Sequence, residues 1–136
     1  MSRILISCFL LTLSFIAVGC SNEGAGLLAV KGTVHLQNKP LDTGNIFFEL
    51  DDPANPHQSG ATIENGKYSI PKARGLKPGK YLVRISSADE KAKEEKAAPG
   101  DSRILAKNRI PPEWNSESTK KIDVNDGATE FNFDIK

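Results

Sequence analysis

From Leu28 onward, apolar and polar residues alternate with a period of two, the mark of strands that bury one face. Val30, Gly32, Val34 and Leu36 alternate with Lys31, Thr33, His35 and Gln37, and Asn38-Lys39-Pro40 then carries turn chemistry. Gly44 to Leu50 predicts a second strand with Ile46, Phe48 and Leu50 on one face. Asp51 to Gly60, with Pro53, Asn55 and Pro56, reads as a loop. Ala61 to Ile63 and Tyr68 to Ile70 flank Asn65-Gly66, a strong hairpin signal because both residue types tolerate positive φ. Pro78-Gly79 opens the clearest strand of the chain, in which Tyr81, Val83 and Ile85 alternate with Leu82, Arg84 and Ser86. Ile122 and Val124 mark a further strand, Asp126-Gly127 a turn, and Phe131, Phe133 and Ile135 the last strand. About seven short strands punctuated by turns predict one all-β domain, a sandwich or barrel.

One stretch breaks the alternation. Ala88 to Ala98 is mostly Lys, Glu and Ala, and it pairs Asp89 with Lys93 and Lys91 with Glu95 at helical spacing. No apolar stripe accompanies these pairs, so the segment is expected to be a solvated, partly helical excursion between strands. A docking element for a partner is the sharper alternative. Pro99-Gly100 ends it, and Trp114 in Ile110-Pro111-Pro112-Glu113-Trp114 is expected to cap one end of the domain.

The first twenty residues follow another pattern. Met1-Ser2-Arg3 is a short basic start, and Ile4 to Val18 is free of charge. As a helix that stretch reaches about 22 Å, short of the roughly 20 apolar residues a membrane span needs. It fits the core of a signal peptide. Ala17-Val18-Gly19-Cys20 resembles the lipobox of bacterial lipoproteins, with Ala17 where that motif usually has Leu. The resemblance implies that residues 1–19 are cleaved and that Cys20 carries a lipid. An ordinary cleaved signal peptide with a free thiol is the alternative. Ser21 follows the cysteine, and in a cell with two membranes the resemblance implies the outer one. Residues 20–27 then form the lipidated cysteine and a polar, Gly-containing tether.

Charge and cysteine content narrow the function. The chain has 18 basic and 17 acidic residues. Arg3 leaves with the signal segment, so the remainder is balanced and lacks the concentrated basic surface that nucleic acid requires. Cys8 also lies in the signal segment, which leaves Cys20 as the one cysteine of the processed chain and makes an internal disulfide impossible. Lipidation accounts for a lone cysteine in an exported protein.

Three stretches carry a further resemblance. They are Val30-Lys31-Gly32-Thr33-Val34 with Lys39-Pro40-Leu41, Asn65-Gly66-Lys67-Tyr68-Ser69-Ile70, and Leu76-Lys77-Pro78-Gly79-Lys80-Tyr81-Leu82-Val83-Arg84-Ile85. Together with Ile110-Pro111-Pro112-Glu113-Trp114-Asn115 and the ending Phe131-Asn132-Phe133-Asp134-Ile135, they are similar to the carboxypeptidase regulatory-like domain in its small bacterial lipoprotein form. That resemblance implies a single seven-stranded transthyretin/Ig-like β-sandwich over residues 28–136. It also implies an accessory module without catalysis: a folding support, an adhesion stalk unit or a carbohydrate-binding module. Its motifs are turn and core residues, so they speak for fold more than for role.

The residues themselves argue against an enzyme. His35 and His57 are the only histidines, and no zinc-hydrolase spacing surrounds either. His57 shares a loop with Asp51, Asp52 and Asn55, where a hydrated loop is favoured over a weak cation site. Asp123-Val124-Asn125-Asp126-Gly127 has the wrong frame for a calcium loop and reads as a hairpin turn. Neither a Gly-x-Ser-x-Gly elbow nor a phosphate-binding glycine loop occurs. No metal or other cofactor is implied. Lys31 and Asn132 occupy the first and last strands, the positions at which pilin-type domains form an isopeptide bond. The alternation puts both on the polar face, however, and the reaction needs a buried, neutral amine. Phe47 and Trp114 are the aromatics least obviously committed to a core, and so are the candidates for stacking on a sugar ring. The expected function is a lipid-anchored, non-catalytic envelope protein whose domain binds a partner or supports an assembly. A surface carbohydrate-binding module is the alternative, and an enzyme with an unrecognised site is the least favoured reading.

Overall fold

A computed structural model describes residues 26–89, 95–96, 104–105 and 107–136. The expected signal segment, Cys20 and the expected tether up to residue 25 lie outside the described residues, as do Lys91 and Lys93 of the expected helical pairs. The domain is all-β. Its strands are β1 (Val30–Leu36), β2 (Lys39–Pro40), β3 (Thr43–Leu50), β4 (Gln58–Glu64), β5 (Lys67–Ile70), β6 (Gly79–Ser86), β7 (Glu95–Lys96), β8 (Ile104–Leu105), β9 (Lys121–Val124) and β10 (Phe133–Ile135). Short 3-10 turns occupy Lys72–Arg74 and Pro112–Trp114.

Eight strands form one sheet in the order β10-β1-β5-β4-β3-β6-β9, with β2 added against β1. The pairs are antiparallel except β1 with β10, which run parallel. The chain connectivity requires this sheet to curl. A flat path of seven strands would separate its outer members by about 29 Å, at roughly 4.8 Å per neighbour. Yet β9 is joined to the segment leading into β10 by a tight turn in which Asn125 and Ala128 exchange backbone hydrogen bonds of 3.3 and 2.9 Å. Beyond it, the Lys31 amide already donates to Thr129 on the β1 side at 3.1 Å. The two ends of the path therefore approach each other, and the inward side chains meet in a single core.

That core is the alternation made physical. Val30, Val34, Ile46, Phe48, Ile63, Ile70, Tyr81, Val83, Ile85, Val124 and Ile135 are buried, together with Tyr68, Leu76, Ile110 and Phe133. Phe48 and Phe133 flank Tyr68, with ring centroids 5.9 and 6.4 Å away. The Trp114 ring meets Phe133 edge-on at 6.1 Å.

Three features differ from the pattern. The first hairpin turns at Gln37 and Asn38, both at positive φ (51° and 63°). Lys39-Pro40 is thus a short strand opposite Leu36 and His35 rather than part of the turn, which raises the sheet to eight strands. Pro40 is tolerated because the missing N–H lies on a peripheral strand. Strand β4 begins at Gln58, inside the stretch expected to be loop, because Gln58, Ser59 and Gly60 pair with Glu49, Phe48 and Phe47. Finally, Glu95–Lys96 is not helical. It pairs antiparallel with Ile104–Leu105, and the neck beneath is held by Asp89 N–H donating to Lys107 O at 2.8 Å and Arg109 N–H to Ser87 O at 3.0 Å.

Candidate functional site

The outward residues of β4, β3 and β6 form a face centred on Phe47. Its ring is 54% exposed and is the one exposed large hydrophobic side chain among the described residues. Ile46 and Phe48 point into the core, so the pleat turns Phe47 out. Its cross-strand partners are Gly60 on β4 and Arg84 on β6. Gly60 leaves room for the ring, since a Cβ there would lie 2.9 Å from the Phe47 Cδ1 atom. The ring thus covers bare backbone, a known way of protecting a strand glycine.

Phe47 forms a ridge between two shallow depressions. One is lined by Gln58, Ser59, Leu82 and Arg84, the other by Asn45, Thr62, Ser69 and Arg74. Arg84 is tied to Glu49 by a 2.5 Å Nη1–Oε2 contact, and Glu64 faces Lys67 across β4 and β5. An apolar ring edged by amides, hydroxyls and a guanidinium can stack on a flat, hydroxyl-rich ligand and bond its rim.

Trp114 does not join this face. It is half-buried against the core cluster, and its ring receives the Lys120 ammonium 4.7 Å from the centroid. The two aromatics singled out from sequence therefore occupy different surfaces. Asn45, Thr62, Arg84 and Arg74 were not singled out. The outward phase of β3 could have indicated Asn45 beside Phe47, but Gly60 and Arg74 reach this face only through folding.

Other groups of interest are engaged elsewhere. The His57 Nε2 lies 3.1 Å from Gly75 O, so that nitrogen carries the proton and donates, and the ring meets Tyr81 edge-on at 6.3 Å. Asp51 pairs with Lys121 at 2.6 Å. Asp52 accepts from Asn55 Nδ2 at 2.9 Å and Ala54 N–H at 3.0 Å, bonds that hold its carboxyl below the usual carboxylate range. Among the described residues no three His, Cys, Asp or Glu side chains gather to hold a metal. The Asn125 carboxamide oxygen accepts from Gly127 N–H at 3.0 Å, which closes the turn once compared with a calcium loop. Lys31 and Asn132 do not meet: Lys31 lies 3.6 Å from Glu130, while Asn132 Oδ1 accepts from Thr33 N–H and Oγ1–H at 2.8 and 2.9 Å.

No helix among the described residues is long and apolar enough to cross a membrane. Compared with known protein families, with curated proteins and with solved structures, the chain matches none of them.

Proposed function

We propose that the chain is a lipid-anchored, non-catalytic module of the cell envelope. In this reading residues 1–19 are a signal peptide, Cys20 carries the lipid, residues 20–27 are the tether, and residues 28–136 form the working domain. The carrying observation is Ala17-Val18-Gly19-Cys20 closing an uncharged fifteen-residue stretch, with the first backbone bridge of the domain only eight positions later, at Leu28. The curled sheet around one core supports assigning the domain to the transthyretin-like sandwiches of the carboxypeptidase regulatory-like type. Its role is to present a surface to an envelope partner or to support an assembly, on the outer membrane where the cell has two. Mass spectrometry of the membrane-extracted protein tests this. A diacylglycerol on an N-terminal Cys20 is expected, and Cys20→Ser should release the protein from membranes. A chain cleaved before residue 20 with an unmodified thiol would refute the anchor.

One observation favours a more specific role. Phe47 is exposed on the outer face with amide, hydroxyl and guanidinium groups around it, which suits a pyranose ring. Glycan binding by the whole processed protein, lost in Phe47→Ala without unfolding, would make the domain a carbohydrate-binding module. Binding unaffected by that change would remove Phe47 from the site.

A further inference from the structure

Residues 71–78 close the end of the sheet from which the tether leaves. Leu76 is fully buried there and plugs the core. The backbone around it is pinned on several sides. Leu28 and Leu76 exchange hydrogen bonds of 2.8 and 2.9 Å, Ser59 Oγ donates to Arg74 O at 2.6 Å, and Tyr81 Oη donates to Lys77 O at 3.1 Å. His57 Nε2 holds Gly75 O. Gly75 has no alternative residue, because a Cβ would lie 2.2 Å from Leu28 O. Between Pro71 and Pro78 this rigid segment carries Lys72, Arg74 and Lys77 and no acidic residue. All three are exposed, and none has an ion pair among the described residues. The acids at the same end lie on other segments. Asp51 is paired with Lys121 and Glu130 with Lys31, Asp123 stands opposite Lys80 in register, Asp52 is turned onto its own loop, and Asp126 sits in the turn before β10.

We infer that this end faces the anchoring membrane and that Lys72 and Lys77 contact the phosphate headgroups of anionic lipids. The inference rests on the Cys20 anchor. Eight residue steps separate Cys20 from Leu28, a reach of about 28 Å when fully extended. The hydrogen bonds between Leu28 and Leu76 make the basic segment the part of the domain that the tether holds nearest the bilayer. Attraction to anionic headgroups acts within about a Debye length, roughly 8 Å at physiological salt. A short tether keeps the domain returning to that range, and a pinned loop presents its cations without further ordering.

The test uses the native lipidated protein in vesicles of phosphatidylcholine, with and without phosphatidylglycerol. Acetylation of Lys72 and Lys77 is followed by mass spectrometry against Lys39 and Lys136, which lie at the other end of β1. Lys72 and Lys77 should react about three-fold or more slowly when phosphatidylglycerol is present, and high salt should erase the difference. Equal rates in both vesicles, from protein that floats with them and carries the lipid on Cys20, would overturn this inference and leave the anchor standing. Protein that neither floats nor carries lipid would overturn the anchor and this inference with it.

Discussion

The hydroxyl of Tyr68 donates to the carbonyl oxygen of Phe131 at 2.8 Å, passing over the bare backbone of Gly32. Tyr68 is the register partner of Gly32, and Phe131 lies in the segment that enters β10 alongside β1, so one side chain ties β5, β1 and the approach to β10 together. Tyr68→Phe leaves the ring in the core and strands the carbonyl, at a cost of about 1–2 kcal/mol. The change also alters the response to alkali. Burial, and then the nearby Glu130 charge, raise Tyr68 above the ordinary value of 10.0. The folded protein thus keeps a proton that the unfolded chain loses, so this stabilisation is complete below pH about 10 and is lost as pH rises further. Urea midpoints should fall more steeply above pH about 10 in the wild type than in Tyr68→Phe. Burial also raises Tyr81, but Tyr81 is present in both proteins and cancels. Parallel pH profiles would contradict the buried phenol.

Gly32 is the complementary half of that arrangement. An added methyl at this position would lie 1.7 Å from Phe131 O and 2.8 Å from the Tyr68 hydroxyl. The first contact is with backbone, so the segment entering β10 must move. Gly32→Ala should cost about 3 kcal/mol. Hydrogen exchange should locate the loss at Phe133 to Ile135, with β3 and β6 spared. A variant as stable as wild type would mean that β10 does not pack as described.

The elements legible in the sequence are those whose signal is local. Tyr81, Val83 and Ile85 announce β6 by alternation alone, and Asn65-Gly66 names its own hairpin because both residues sit at positive φ, 50° and 75°. Where the determinant lies on another strand, the sequence is silent. Gln58, Ser59 and Gly60 are poor strand formers and become strand only because Phe47 to Glu49 lie beside them. The parallel pairing of β1 with β10 joins residues about a hundred positions apart, and no short-range pattern encodes it. Glu95–Lys96 sits among good helix formers, yet the antiparallel neck from Ala88 and Asn108 leads it into a ribbon. The outward phase of Phe47 was readable, but its placement beside Gly60 and Arg74 was not.

Phe47 and Trp114 should separate by stability. The Phe47 ring is largely exposed and covers one glycine, so Phe47→Ala should cost about 0.5–1 kcal/mol. Trp114 packs on Phe133 and the core, so Trp114→Ala should cost about 2–4 kcal/mol. Chemical denaturation of the two variants checks the ordering. A reversed ordering would mean that the two rings have been assigned to the wrong surfaces.

Arg109 fastens the neck of the β7–β8 ribbon to the start of β3. Its guanidinium pairs with the Asp42 carboxylate and donates to Thr43 O at 3.1 Å and, through Nε, to Ser87 Oγ at 2.8 Å. The Arg109 hydrogen bond, followed by the Thr43 N–H, holds the Asp42 carboxyl below its ordinary value of 3.8. The folded state therefore resists protonation at Asp42. The stability linked to this group is present above pH 3.8 and is lost as pH falls through the lowered value. Asp42→Asn should be less stable than wild type at neutral pH, and the gap should close in acid. Because Asp42 is exposed, the gap should be small. Arg109→Met should cost more, since it also strips partners from Thr43 O and the buried Ser87 hydroxyl. Thermal melts across that pH range decide the matter, and a gap that persists in acid would show that Asp42 acts through its shape and hydrogen bonds rather than its charge.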